Sequence, residues 1–191
     1  MHATADGHLV VHHDEMIGRH HVAHCALREI REHRLRNGES VPTLEEALAA
    51  IHPHLTALVE VKSMPATLDD RLFAVFDAAP SPARVAVHSF DHRIVRRLAE
   101  KRPSLELGVL STSYLVDPVG ALRDAEADVL WQHWQLIDEA LVLAVHGAGC
   151  GLYAWTVDDP VAMRDLLGLG VDGLCTNHPE RARKAVDSLP Q

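Results

Sequence analysis

The stretch Glu60-Val61-Lys62 places a carboxylate and an ammonium two positions apart at the end of an apolar run, Leu55–Val61. Side chains of a β-strand alternate between its two faces, so Glu60 and Lys62 would point to the same side. Glu60 is then a candidate ligand for a metal cation, and Lys62 is a candidate partner for a phosphoryl oxygen. An ordinary ion pair at a strand end is the alternative, and these two residues leave both interpretations open.

The dipeptide His13-Asp14 follows another short apolar run, Leu9–Val11. A histidine can act as general acid or base near neutral pH, and Asp14 would orient its ring or cap the next segment. Because neighbouring residues of a strand face opposite sides, we expect only one of His12 and His13 to line a site. A solvated junction between strand and loop is the alternative.

Two further candidates, Ser89 and Trp155, lie in the apolar runs VAVHSF and LYAWTV. Trp155 offers a large flat surface for stacking on an apolar part of a substrate, although such a tryptophan more often belongs to the core. Ser89 is a candidate supporting residue, with a strand terminus or a helix cap as the alternative.

Short apolar runs alternate with longer amphipathic stretches along the chain, which predicts alternating strands and helices. The predicted strands are Leu9–Val11, Leu55–Val61, Val85–Phe90, Leu105–Leu110, Val129–Trp131, Leu152–Val157 and Val171–Thr176. The predicted helices are Thr43–Ile51, Leu68–Ala78, His92–Lys101, Asp138–His146, Pro160–Leu167 and Pro179–Ser188. This alternation indicates βαβ units and a parallel sheet.

Polar residues close many of the predicted strands, as in a (β/α)₈ barrel, whose active site is assembled from several strand ends. A doubly wound sheet would carry a G-x-G-x-x-G turn after its first strand, and the sequence has none. The chain has 191 residues, whereas such barrels typically have about 250. We therefore predict one domain over residues 1–191, an α/β TIM-type (β/α)₈ barrel that lacks its first one or two strands.

Composition limits the partners and the compartment. A formal net charge of -9 argues against a nucleic-acid partner, because proteins that bind nucleic acid usually present a basic surface. No apolar run reaches the roughly 18 residues of a transmembrane segment, and the first residues lack the apolar core of a signal peptide. Three cysteines without C-x-x-C spacing favour reduced thiols. We expect a cytoplasmic protein, with secretion left open if a segment precedes Met1.

Six motifs in one order resemble the glycerophosphodiester phosphodiesterase family, from Met1 to about Pro179. They are T-x-D-G-x-x-V-V-x-H-D, V-P-T-L-E-E-x-L, E-V-K, S-F-D-H, W-T-V-D and G-V-D-G-L-x-T-N-x-P. The resemblance implies a barrel fold and the hydrolysis of glycerophosphodiesters to glycerol 3-phosphate and an alcohol. It also implies a divalent cation, Mg²⁺ or Ca²⁺, with two histidines as acid and base and a lysine near the phosphate.

Residue by residue, the resemblance implies that His13 is the second catalytic histidine and that Glu60 is the last metal carboxylate. Lys62 would be the lysine near the phosphate, and Trp155 would help to shape the glycerol pocket. Asn177 departs from the family pattern, which more often has Asp at this position.

The family pattern also has an earlier strand ending H-R-G, which carries the first histidine, and an E-x-D stretch directly before the position of Met1. Because the sequence has no H-R-G and no E-x-D before the T-x-D-G turn, the resemblance implies incomplete cation binding. We expect the 191-residue chain on its own to be inactive, and to be poorly soluble or dimeric through an open sheet edge.

Three functions stay open at this point. The first is a phosphodiesterase whose true start lies upstream, and the second is an inactive relative that binds phosphate esters. The third is a phospholipase-like diesterase that acts on another head group. A lipid substrate would predict an exposed apolar rim near the pocket, whereas a water-soluble diester would not.

Overall fold

A small antiparallel hairpin precedes the main sheet. The computed structural model describes residues 1–188, and in it strand β1 (His2–Ala3) pairs with β2 (Leu9–Val10). The turn between them contains Gly7 with a φ of 80°, which glycine adopts readily. The prediction that Leu9–Val11 belongs to the parallel sheet is therefore wrong, because the Asp6-Gly7 turn folds this run back onto β1. Four short elements follow: β3 (Met16–Ile17), β4 (His20–His21), α1 (Leu27–Glu32) and α2 (Leu44–Ala50).

Six parallel strands form the main sheet, and their order across the sheet follows their order in the chain. They are β5 (Ala57–Glu60), β6 (Val85–Ser89), β7 (Glu106–Ser111), β8 (Val129–His133), β9 (Gly151–Trp155) and β10 (Gly173–Leu174). The sheet curls into a half-barrel flanked by helices. This confirms the predicted TIM-type architecture that lacks strands of the closed barrel.

Helices connect the strands and close the chain. They are α3 (Asp69–Asp77), α4 (His92–Lys101), α5 (Pro118–Ala125), α6 (Glu139–Gly147), α7 (Pro160–Leu169) and α8 (Pro179–Asp187). The bounds of α4 match the prediction. Neither α1 nor α5 is predicted from the sequence.

Helix starts are fixed by side-chain caps. In α2 the hydroxyl of Thr43 accepts from the N–H of Glu46 at 3.3 Å, and the Glu46 carboxylate accepts from the N–H of Thr43 at 2.9 Å. This confirms the capping box indicated by the sequence. The four helices after β6, β7, β8 and β9 each begin behind an aspartate whose carboxylate accepts a backbone N–H of the first turn. These aspartates are Asp91, Asp117, Asp138 and Asp159.

The two faces of the sheet have different environments. The face that packs on the helices carries buried aliphatic residues from successive strands, as period-two alternation requires. They include Val59, Val87, Leu107, Leu130 and Leu152. The opposite face, inside the half-barrel, carries Leu58, His88, Trp131 and Tyr153.

Strand β5 forms one edge of the sheet. At its carboxyl end the N–H of Lys62 donates to the Met1 carbonyl at 3.1 Å, and His2 forms a parallel bridge with Ser63. On this side Ala57–Val59 have no strand partner within residues 1–188. No helix in this described part of the chain is both long enough and apolar enough to cross a membrane.

Candidate active site

Glu60 and Lys62 lie on one side of the chain at the carboxyl end of β5, as the spacing predicts. The Lys62 ammonium donates to Oε1 of Glu60 at 2.8 Å. The side chain of Glu60 keeps 25% of its surface exposed, and that of Lys62 keeps 21%. The pair is therefore half-buried, and solvent can still reach both groups.

The backbone between these residues is fixed from the neighbouring strand. The Ser89 hydroxyl is fully buried and donates to the carbonyl of Val61 at 2.6 Å, while the N–H of Val61 donates to the His88 carbonyl at 2.9 Å. The same hydroxyl accepts from the N–H of Asp91 at 3.0 Å. Ser89 thus ties the Glu60–Lys62 segment to the end of β6.

His13 and Asp14 lie in the loop that follows β2. Nδ1 of His13 is 2.8 Å from a carboxylate oxygen of Asp14, and this hydrogen bond lowers the pKa of Asp14 below its ordinary value. Both side chains are largely exposed, by 84% and 73%. Because the Asp14 contact uses Nδ1, Nε2 is the ring nitrogen left for proton exchange with a ligand.

One cavity of about 330 Å³ brings His13 together with Glu60 and Lys62, within the size range of small-molecule sites. Its other walls are mainly apolar and come largely from α2 and β5. Both His12 and His13 line this cavity. Both can do so because β2 ends at Val10 and the alternation of a strand does not extend to the loop, whereas strict alternation would place only one of them there.

Trp155 lies at the carboxyl end of β9 in a separate group of aromatic side chains. Its Nε1 donates to the carbonyl of Trp131 at 3.0 Å. The rings of Phe90 and His133 stand nearly perpendicular to it, with centroids 5.3 and 5.5 Å away. Trp155 is half-buried, so it lies at the rim of the half-barrel rather than in the core.

An aromatic layer lies deeper in the half-barrel and was not identified from the sequence. His88 stacks on Trp131 at 4.6 Å, and Tyr153 packs edge-on against Trp131 at 4.7 Å. Burial lowers the pKa of His88 to about 4, although the charge of Glu60 opposes this shift. The available signal was the histidine in VAVHSF, a polar residue in an apolar strand and next to Ser89.

The segments that follow β9 and β10 meet at the edge of the sheet opposite β5. The carboxylate of Asp158 accepts from the Thr176 hydroxyl at 2.9 Å and from the backbone and side-chain N–H groups of Asn177 at 2.8 and 2.9 Å. These hydrogen bonds lower the pKa of Asp158. The amide of Asn177 thus serves as a donor, which an ionised aspartate at this position cannot do.

The described side chains do not form a cation site by themselves. Glu60 is the one carboxylate among the residues that line the cavity of His13. Residues 1–188 contain no group of three or more His, Cys, Asp or Glu side chains placed to hold a metal ion. Mg²⁺ and Ca²⁺ take about six to eight oxygen ligands, so this donor set does not fit a tightly bound divalent cation.

Comparison with known proteins identifies the family. Residues 1–181 match the Glycerophosphoryl diester phosphodiesterase family. The chain belongs to this family. A Glycerophosphodiester phosphodiesterase of Caldanaerobacter subterraneus subsp. tengcongensis is 31% identical over 193 residues, which cover 93% of this chain and 79% of that relative. The homologues named for this activity are phosphoric diester hydrolases.

Solved structures of the family share the fold. A glycerophosphodiester phosphodiesterase from Parabacteroides distasonis superposes with a TM-score of 0.87 at 27% identity, covering 98% of this chain and 81% of that one. An Oleispira antarctica phosphodiesterase, solved in complex with the product sn-glycerol-3-phosphate, superposes with a TM-score of 0.86 at 19% identity. The match covers 98% of this chain and 83% of that one. The half-barrel thus has the fold of the matching parts of these two chains, of which it covers 81% and 83%.

Proposed function

We propose that the cavity of His13, Glu60 and Lys62 binds the phosphodiester group of glycerophosphodiesters, the compounds that family members hydrolyse to glycerol 3-phosphate and an alcohol. The observation that carries the proposal is the half-buried Glu60–Lys62 pair, which lies with His13 around one cavity. The name of the relative that is 31% identical supports this substrate class. The product bound by the Oleispira antarctica protein is consistent with it.

Lys62 would neutralise part of the negative charge of the phosphodiester. A phosphoryl oxygen that approaches the ammonium shares it with Glu60, because the two groups are in contact in the free chain. Glu60 repels the anionic phosphate at the same time, so we expect weak binding in which Lys62 offsets the charge of this carboxylate.

His13 would move a proton at Nε2, since Asp14 occupies Nδ1 and fixes the orientation of the ring. Ser89 would keep Glu60 and Lys62 in register through the Val61 carbonyl. Trp155 would contact the glycerol part at the rim of the half-barrel. Since the described side chains do not form a cation site, we expect the chain on its own to bind its substrate weakly and not to hydrolyse it above the background rate.

A phospholipase-like activity is a second candidate, and one observation favours it. Phe90, Tyr114 and Val116 expose 43%, 45% and 105% of their surface, and they lie in the segments that follow β6 and β7. Both segments leave the carboxyl edge of the sheet, where Glu60 and Trp155 also lie. Exposed apolar residues near a site suit an acyl chain or a lipid surface.

The test compares two substrates that both contain choline. Glycerophosphocholine and lysophosphatidylcholine are titrated into the chain, and choline release is followed with and without Mg²⁺ or Ca²⁺. We expect glycerophosphocholine to bind, with choline release close to the background rate. Stronger binding of lysophosphatidylcholine would favour the second candidate, and binding of neither compound would contradict the proposal. Rapid release that requires a divalent cation would show that the chain does complete a cation site.

A further inference from the structure

The segment that carries Lys62 leaves the sheet directly after this residue. Met64 is buried two positions later, and a 3₁₀ turn at Ala66–Leu68 leads into α3. The backbone carbonyl of Met64 accepts from Nη2 of Arg97 at 3.2 Å. A side chain of α4 therefore contacts the loop between Lys62 and α3.

Arg97 is held in place by a buried carboxylate. Asp69, the first residue of α3, is fully buried, and its two oxygens accept from Nε of Arg97 at 2.9 and 3.2 Å and from Nη2 at 3.0 Å. Lys101 approaches the same carboxylate at 3.1 Å. A charge removed from water in this way is stable only when it is paired and hydrogen-bonded, so Asp69 fixes the guanidinium strongly.

The guanidinium links three parts of the chain at once. Its planar fork binds the carboxylate of α3 through Nε and Nη2, its stem belongs to α4, and Nη2 also donates to the Met64 carbonyl in the loop after Lys62. Lysine has a single ammonium and cannot reproduce this geometry. Arg97 and Lys62 also line one cavity of about 580 Å³, together with Ser63 and Met64.

We propose that Arg97, held by the buried Asp69, is a positioning residue for Lys62. It holds the Met64 carbonyl and so keeps the loop from moving the Lys62 ammonium away from Glu60. The function of this arrangement rests on the proposed role of Lys62 as the phosphate partner. The positioning itself is a property of the loop and can be measured without a ligand.

A second arginine–aspartate pair provides a matched control. Arg102 donates from Nη1 and Nη2 to the two carboxylate oxygens of Asp77, both at 2.9 Å. Arg102 directly follows α4 and Asp77 is the last residue of α3, so this pair joins the carboxyl ends of the two helices, away from the loop of Lys62. The substitutions Arg97→Lys and Arg102→Lys are chemically identical, and only the first removes a donor from the loop of Lys62.

The first readout is the reactivity of the Lys62 amine towards acetic anhydride. Limited acetylation followed by peptide mass spectrometry gives its rate relative to Lys184, an exposed lysine of α8. We expect Arg97→Lys to raise this ratio about fivefold, which corresponds to the loss of one hydrogen bond. The ratio in Arg102→Lys should stay at the wild-type value. An unchanged ratio in folded Arg97→Lys would overturn the proposal.

The second readout is the affinity for sn-glycerol 3-phosphate. It should fall about fivefold in Arg97→Lys and stay within twofold of wild type in Arg102→Lys. If the wild-type chain does not bind this ligand, the proposed function fails, while the acetylation ratio still decides the positioning role. If Arg97→Lys does not fold by circular dichroism, the double variant Asp69→Asn with Arg97→Gln removes both charges and is tested in the same way.

Discussion

Ser89 affects the site through the backbone that it holds. Its buried hydroxyl donates to the carbonyl between Glu60 and Lys62, so its loss would act on both residues at once. The sequence predicts the common side of Glu60 and Lys62, and the structure keeps it past the end of β5 because the N–H groups of Val61 and Lys62 still donate to the carbonyls of His88 and Met1. It does not predict the donor to Val61, because that contact joins residues 28 positions apart on neighbouring strands.

We predict that Ser89→Ala lowers the free energy of unfolding by about 1–2 kcal/mol, since a buried carbonyl and the N–H of Asp91 lose their partner. The same variant should weaken binding of sn-glycerol 3-phosphate. Ser111→Ala is the control, because Ser111 ends β7 and its hydroxyl donates to the Ser113 carbonyl at 2.7 Å. Urea denaturation and calorimetric titration measure the two effects. Equal affinities in both variants would contradict the role of Ser89.

His88 makes stability depend on pH. Its pKa is about 4 in the folded chain because the ring is buried, against about 6.5 when unfolded. Between these values the unfolded chain binds more protons, so stability falls as pH falls from 6.5 to 4, by up to about 3 kcal/mol. His88→Gln should flatten this loss, whereas His54→Gln, at an exposed position, should not. Parallel stability curves for wild type and His88→Gln would contradict the assignment.

At the level of elements, two glycines leave room for the aromatic side chains inside the half-barrel. A Cβ on Gly108 would lie 2.7 Å from the indole of Trp131, and one on Gly173 would lie 3.2 Å from the ring of Tyr153. Periodicity in the sequence predicts most helices and the parallel sheet. It misses α5, which begins at Pro118 behind a polar loop, and it misplaces Leu9–Val11 because a turn can redirect so short a run.

We predict that Gly108→Ala destabilises the chain by about 1–3 kcal/mol, because the methyl group overpacks against Trp131. Gly147→Ala is the control, since nothing lies within 4 Å of a Cβ at the end of α6. Urea denaturation followed by tryptophan fluorescence compares the two variants. If Gly108→Ala is as stable as Gly147→Ala, the close contact with Trp131 is not maintained in solution.

For the whole molecule, the ordered motifs indicate the family correctly because each lies at a turn, a strand end or, for V-P-T-L-E-E-x-L, the start of helix α2 of the same fold. The order of the motifs does not predict whether other acidic side chains lie near Glu60, since a metal site needs several side chains to converge on one point. The structure places Glu60 in the cavity without two further acidic partners from residues 1–188. The oligomeric state is the other property of the whole molecule, and it depends on the unpaired edge of the sheet at β5.

We predict that the chain self-associates through β5, because Ala57–Val59 present unpaired backbone groups and an exposed Leu58. Leu58→Lys should shift the equilibrium towards monomer by placing a charge on this edge. Leu143→Lys, at a position on α6 that is 65% exposed against 46% for Leu58, should leave it unchanged. Sedimentation velocity at rising concentration measures both. A wild-type chain that stays monomeric throughout would show that this edge does not mediate association.

The central claim is that Lys62 binds the phosphate of a glycerol ester, and isothermal titration with sn-glycerol 3-phosphate tests it most directly. Wild type is compared with Lys62→Met, which keeps the apolar stem, and with Lys184→Met as the control for lost charge. Removal of a charged hydrogen bond of about 1.5–3 kcal/mol predicts at least tenfold weaker binding in Lys62→Met and no change in Lys184→Met. Equal affinities for wild type and Lys62→Met would contradict the account.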